Sequence, residues 1–469
     1  MLFNSLTFLV FFLAVFALHH VLPGWTQRKQ LLLVASYLFY AAWHPPYALI
    51  LFFSTTLDWW LARRIFRSEL PLHRRRWLLL SLVANLGLLG FFKYGGFLLE
   101  NFELALGVLG MSYQRPAWNI VLPIGISFYT FASLSYTIDV YRGRIRGDAP
   151  WLDYALFVSF FPHLVAGPIV RAEFLLPQFA LPRRATPDQI GWGLALTCMG
   201  LFCKTVMADT VFAPVVDTVY AAPANHGALD AWAAVLAFSG QIYYDFAGYS
   251  LCAIGLALCF GFEFPDNFRH PYAARSPVEF WRRWHISLST WLRDYLYISL
   301  GGSRAGAAQT TRNLMLTMLI GGLWHGASWM FVLWGGLHGI YLALARGWRR
   351  PAAAAGHGLH AFTATLLTFL LITLTWIPFR APDWSIMQAL LTALVRPGLA
   401  AQIDARVLTA CFISIVATFC WQFAARDRSL SAQFSALTPA ARAGVLALCL
   451  IGIFLCSGGD QRAFIYFQF

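Results

Sequence analysis

Long apolar stretches, interrupted by short basic loops, recur along the whole chain. Runs able to form apolar helices fall near residues 3–22, 31–43, 47–62, 77–99, 120–140, 190–208, 229–260, 314–345, 361–379, 406–424 and 442–456. A helix needs about 20 apolar residues to span a bilayer, so runs of this kind predict membrane crossings. The run at 229–260 is too long for one upright crossing, which predicts a tilted, broken or two-part element. Phe157–Phe179, FVSFFPHLVAGPIVRAEFLLPQF, is apolar but broken by Pro162, Gly167 and Pro168. Irregular backbone at membrane depth survives only when buried in protein or lining a cavity, which predicts a re-entrant segment or a shallow lid beside a polar pocket.

Glu279–Leu300, EFWRRWHISLSTWLRDYLYISL, is patterned differently. At about 100° per residue, Trp281, Trp284, Leu288, Trp291, Leu292 and Tyr295 share one arc. Arg282, Arg283, Ser289, Thr290, Arg293 and Asp294 share the other, with His285 at the border. An aromatic face opposite a basic one predicts an interfacial helix in the headgroup region.

Composition sharpens the membrane reading. Of 469 residues, 59% are hydrophobic and 12% charged, and mean hydropathy is +0.61. A soluble domain carries roughly 25% charged residues. The chain therefore reads as an all-α, multi-pass integral membrane protein, one polytopic domain over 1–469 without a soluble domain, linker or repeat. The formal charge of +13 sits mainly in short loops (Arg28 and Lys29; Arg63, Arg64, Arg67 and Arg74–Arg76; Arg142, Arg144 and Arg146). Basic short loops mark the cytoplasmic side. That rule places the His44–Tyr47 turn and Glu100–Asn119 outside, and the N-terminus faces out. The basic balance is thus topological, with membrane lipid headgroups rather than nucleic acid as partner. Phe8–Leu18, with no basic residue before it and no cleavage site after it, reads as a first span. The eight cysteines all lie in apolar runs and read as small buried hydrophobes.

Candidate chemistry narrows to three of twelve histidines. His19, His20, His44, His73, His226, His357 and His360 fall at helix ends or loops, and His163 and His270 beside prolines read as structural. His285, His325 and His338 remain. His325, in GGLWHGASW, and His338 belong to one apolar run, 13 residues apart. An unbroken helix would hold them about 20 Å apart on different faces, so one at most is the chemical residue unless the helix breaks. Gly321–Gly322 and Gly335–Gly336 can supply a kink or close packing. An ionisable residue at membrane depth is usually kept for function, though a hydrogen bond to a neighbouring helix is the structural alternative. Trp324 and the small residues Gly326, Ala327 and Ser328 suggest a shaped pocket. A histidine suits general-base work on a hydroxyl. G-x-S-x-G, H-E-x-x-H, P-loop and G-x-G-x-x-G patterns are all absent. A base without a protein nucleophile fits direct transfer of an activated acyl group. Asp245, within IYYDFAG, is also expensive at membrane depth.

WRRWHISLSTWLRDYLYISLGGSR (Trp281–Arg304), GGLWHGASW and WGGLHG resemble the membrane-bound O-acyltransferase family. LPIGISFYTF (Leu122–Phe131), YTIDVYRG (Tyr136–Gly143), FFPHLVAGPIVR (Phe160–Arg171), IYYDFAGYS (Ile242–Ser250) and the Asn267–Tyr272 stretch resemble its bacterial alginate and cellulose O-acetylation branch in the same order. The similarity covers roughly residues 120–345. It implies a ring of roughly 11–13 helices around a central tunnel, with re-entrant and interfacial helices. It implies His325 as the catalytic residue and His285 as its companion. Trp324, His338, Asp245, Arg282 and Arg293 are the tunnel- or substrate-lining candidates.

It further implies acetyl-CoA or another acetyl thioester as cytoplasmic donor, with no resident cofactor or metal. The expected setting is the bacterial inner membrane with the N-terminus periplasmic. The expected partners are a periplasmic SGNH-hydrolase-type acetyltransferase, a polysaccharide synthase complex and an exported polysaccharide acceptor, cellulose or alginate. One departure is Leu251, in GYSLCAIG, where the branch commonly carries an acidic residue. It puts alginate specifically in doubt. Two rivals stand beside this expectation: transfer of D-alanine or another acyl group to teichoic acid, lipid or protein, and acyl or glycan transport without covalent chemistry. The lack of internal repeats weighs against transport.

Overall fold

Several helices open where the sequence supplies a start signal. Ser5 caps Leu6–Val21 by accepting the Phe8 N–H, and prolines open Pro45–Arg67 and Pro71–Leu89, where a missing N–H is harmless. The computed structural model describes residues 1–118, 120–347, 358–397, 401–456 and 462–465. Asn119 and His357 lie outside them. The described residues form helices and connecting turns, with no strand. Among the described residues, six helices are long and apolar enough to cross a membrane: Pro71–Val108, Pro187–Ala221, Ala228–Cys259, Leu359–Arg380, Ala405–Ala425 and Pro439–Cys456. The protein is an all-α integral membrane protein.

The chain divides into two compact units. The first comprises Met1–Leu194 with Ala253–Pro265, the second Ala195–Cys252 with Asp266–Phe469. In the first unit, Lys29 pairs with Asp153, while Asp58 accepts hydrogen bonds from Ser81 and Asn85. The Phe157–Phe179 segment is broken as its prolines and glycine require: helix Trp151–Ser159 ends, one turn forms at Phe161–Leu164, Gly167 adopts φ 118°, and Ala172–Ala180 resumes. Donors and acceptors freed by the break find partners within the unit. Phe161 N–H donates to Ser36 Oγ at 3.0 Å, and Phe179 O accepts Trp25 Nε1–H at 2.9 Å.

Three expectations change on contact with the structure. The 229–260 run is one continuous helix, Ala228–Cys259, of 32 residues. It is largely enclosed by protein, so its length does not have to match the bilayer. The 314–345 run is not one helix. Ala307–His325 stops, Gly326 turns extended at φ −163° and ψ 152°, and Trp329–Gly347 begins. The two arms pack so closely that a Cβ on Gly322 would overlap the Phe331 carbonyl oxygen, and one on Gly335 would overlap that of Met318. These glycines therefore serve close packing, and the break lies elsewhere.

Glu279–Leu300 is likewise not one amphipathic helix. It divides into Pro277–Arg283, Ile286–Trp291 and a wider π-helical turn at Leu292–Tyr297, with the first break at His285. Its aromatic residues Phe280, Trp284 and Trp291 are buried in protein rather than laid on lipid.

Candidate active site

His285 sits in a backbone conformation that side chains avoid. Its φ of 41° and ψ of 55° are left-handed, a region it shares among described non-glycine residues only with His270. Such strain costs about 1–3 kcal/mol and persists only when surrounding structure enforces it. The enforcing structure is the stretch around Asn267. Arg269 N–H donates to Arg283 O, and Ile286 N–H to Asn267 O, both at 2.9 Å. These bonds straddle the histidine and satisfy backbone groups that the broken helix leaves open.

The Asn267 side chain then sets the chemistry of the ring. Its Oδ1 accepts the Ser287 N–H at 3.3 Å and the Ser287 hydroxyl at 2.9 Å, and its Nδ2 donates to Ser250 Oγ at 3.1 Å. The same Oδ1 lies 3.1 Å from His285 Nδ1. A backbone N–H can only donate, so Oδ1 is an acceptor and His285 Nδ1 carries the hydrogen. The neutral ring thereby presents a lone pair at Nε2, which is buried and has no hydrogen-bond partner among the described residues.

His325 ends its helix inside an aromatic box. Its ring lies 5.0 Å from Trp324, 5.0 Å from Trp334 and 5.3 Å from Phe379, steeply inclined to each. Trp324 also reaches His285 at 6.0 Å between centroids, so both imidazoles contact one indole.

His338 is nearer than an unbroken helix would allow. It packs 4.7 Å from Trp334, one turn earlier on its own helix, and the hairpin sets that Trp334 5.0 Å from His325. Its nitrogens, however, are both engaged. Trp281 Nε1–H donates to Nδ1 at 3.2 Å, which leaves Nε2 to donate to Thr375 Oγ1 at 3.0 Å. Thr375 passes its own hydrogen to Ile372 O at 2.6 Å. No lone pair is left for chemistry.

The remaining candidates scatter. Asp245 is buried, with Lys204 Nζ 2.5 Å from Oδ1 and Ile465 N–H donating to Oδ2 at 2.8 Å. Arg282 is exposed on Pro277–Arg283. Arg293 is exposed and doubly bonded to Asp294, at 2.6 and 3.1 Å. Arg283, next to Arg282, is an anchor, bonded to Glu279, Arg269 O and Arg426 O. Sequence reasoning does not reach the roles of Asn267, Trp334, Phe379 or Lys204. Only Lys204 leaves a signal, being a charge within an apolar helix, where it needs a partner.

Two buried imidazoles on one indole, one of them fixed in the tautomer that presents its Nε2 lone pair, suit handling of a hydroxyl proton during acyl transfer. Similarity to known proteins agrees with that chemistry. A model of the membrane-bound O-acyltransferase family matches residues 142–378. The chain is 44% identical over 395 residues to the probable alginate O-acetylase AlgI of Pseudomonas aeruginosa, covering 83% of this chain and 75% of that protein. It is 38% identical over 414 residues to the peptidoglycan O-acetyltransferase of Helicobacter pylori, covering 82% and 77%. A teichoic acid D-alanyltransferase of Streptococcus thermophilus is 27% identical over 239 residues, covering 48% and 57%. The chain belongs to the membrane-bound O-acyltransferase family and is an acyltransferase embedded in a membrane.

Proposed function

We propose that this acyltransferase moves acetyl groups from a cytoplasmic thioester, acetyl-CoA or a close equivalent, across the bacterial inner membrane for O-acetylation of an exported polysaccharide. The observation that carries the reading is the contact of His285 and His325 with one indole, joined to 44% identity with a probable alginate O-acetylase. His325 is the general base: it takes the hydroxyl proton as the oxygen bonds to the thioester carbonyl carbon. The carbon–sulfur bond then breaks, and the proton passes to the departing thiolate. His285 is the companion, its Nε2 lone pair placed to hold a hydroxyl hydrogen. The two rings line a tunnel through which acetyl reaches the outer face.

A periplasmic acetyltransferase of the SGNH-hydrolase type and the polysaccharide synthase complex complete delivery to the sugar, and the N-terminus faces the periplasm. The relatives named above act on alginate and peptidoglycan, so either joins cellulose as a candidate acceptor. Replacing His325 by Ala, with membrane-inserted protein quantified, abolishes O-acetyl groups on the exported polymer. Unchanged acetylation in that variant overturns the assignment. Analysis of the wild-type cell's alginate, cellulose and peptidoglycan fractions for acetyl that this gene alone supplies identifies the acceptor.

A further inference from the structure

The buried pair Lys204–Asp245 takes no part in the acyl-transfer chemistry above, yet it holds a distant piece of chain in place. Lys204 Nζ lies 2.5 Å from Asp245 Oδ1 and 2.7 Å from Asp209 Oδ1. It also donates to the Ala463 carbonyl at 3.3 Å, while Asp245 Oδ2 accepts the Ile465 N–H at 2.8 Å. Both backbone groups flanking Phe464 are thus bonded to buried charges. Arg462 adds a third anchor by pairing with Asp217, which Arg380 also holds at 2.9 Å.

Between these anchors the Phe464 side chain is completely buried. Its ring lies 4.4 Å from Tyr249 and 5.5 Å from Phe246. Phe246 in turn stands perpendicular to the His285 imidazole at 4.5 Å. Asn267 fixes one edge of that imidazole by a hydrogen bond, and Phe246 limits its tilt by packing. Phe464 backs Phe246, and the ion cluster backs Phe464.

We propose that Arg462–Ile465 is an internal strap that positions His285 through Phe246, with Lys204, Asp245 and Phe464 as positioning residues. The proposal rests on His285 acting in the reaction. Charges this deep persist in proteins when paired and hydrogen-bonded, and here the pairing immobilises backbone beside the site.

The test uses the full chain in native membranes. Phe464→Ala is expected to lower polymer O-acetylation per inserted molecule about tenfold, since small misplacement of a catalytic group is enough for such a loss. Carbethoxylation of His285 by diethyl pyrocarbonate, followed by peptide mass spectrometry, speeds up, while that of His338 is unchanged. Phe464→Leu restores most of the activity and most of the protection. Should Phe464→Ala not accumulate, Phe464→Leu carries the test alone, with a loss of roughly twofold to threefold and partial deprotection of His285 expected. Wild-type acetylation and unchanged His285 labelling in the accumulating variant overturn the strap. His285→Ala separates the two ideas. If it remains active, the reading of His285 fails; if it is inactive while the Phe464 variants behave as wild type, the strap alone fails.

Discussion

Asn267 and His285 are joined by a contact whose direction is fixed by a third group. Asn267 Oδ1, 3.1 Å from His285 Nδ1, is bound by the Ser287 backbone N–H, so the hydrogen between asparagine and histidine belongs to the histidine. The base-competent tautomer of a buried ring is therefore set by backbone geometry two residues away.

This arrangement makes Asn267 a positioning residue with a distinctive signature. Asn267→Ala removes the acceptor of the His285 Nδ1–H in a buried place, at roughly 1–3 kcal/mol. We expect folded protein to fall and activity per molecule to drop at least tenfold. Asn267→Asp keeps an acceptor at the same place but adds negative charge, which favours the imidazolium. Activity is expected to survive in part, with the acid limb of the pH–rate profile moved to higher pH. An unmoved limb in Asn267→Asp would show that the His285 ring does not titrate in the reaction.

His325 and His338 contact one indole, Trp334, yet differ in what their replacement should do. His338 bridges Trp281 and Thr375 with both nitrogens engaged. His338→Ala is expected to lower the melting temperature and the amount of inserted protein, with acetylation per remaining molecule within about threefold of wild type, as for loss of a buried hydrogen-bond bridge. His325→Ala is expected to do the reverse, with near-normal accumulation and at least about a 100-fold loss, the lower range for removal of a general base. Equal loss per molecule in both variants would place His338 in the chemistry.

Much of this was legible before the structure. Apolar run lengths located most crossing helices; the apolar setting alone leaves His285, His325 and His338 together, and the choice of His325 with His285 comes from the family resemblance. The interruptions were not legible, because each is produced by distant contacts. Nothing in the periodicity of WRRWHISLS signals a left-handed histidine, since the bonds enforcing it come from Asn267 and Arg269. Nor does GASW carry a proline to end its helix. The turn there depends on the Phe331 ring lying over Gly326 and on two glycines letting the arms close. Lys204 is itself readable as a charge within an apolar helix, and it is the partner that Asp245 needs there.

The hairpin supplies a prediction with its own control. A Cβ on Gly335 would overlap the Met318 carbonyl oxygen, an atom of the opposite helix backbone that cannot move without shifting the arm. A Cβ on the next residue, Gly336, would meet only the Leu319 side chain at 3.6 Å, an ordinary contact. Both positions are helical and both substitutions improve helix propensity by up to about 1 kcal/mol. Overpacking typically costs about 1–3 kcal/mol, and a clash with backbone belongs at the upper end. Gly335→Ala is therefore expected to lower the melting temperature in detergent and to reduce acetylation by displacing Trp334 from His325. Gly336→Ala is expected to melt at or above the wild-type temperature with activity intact. Equal melting of the two variants would mean that the arms are not packed through Gly335.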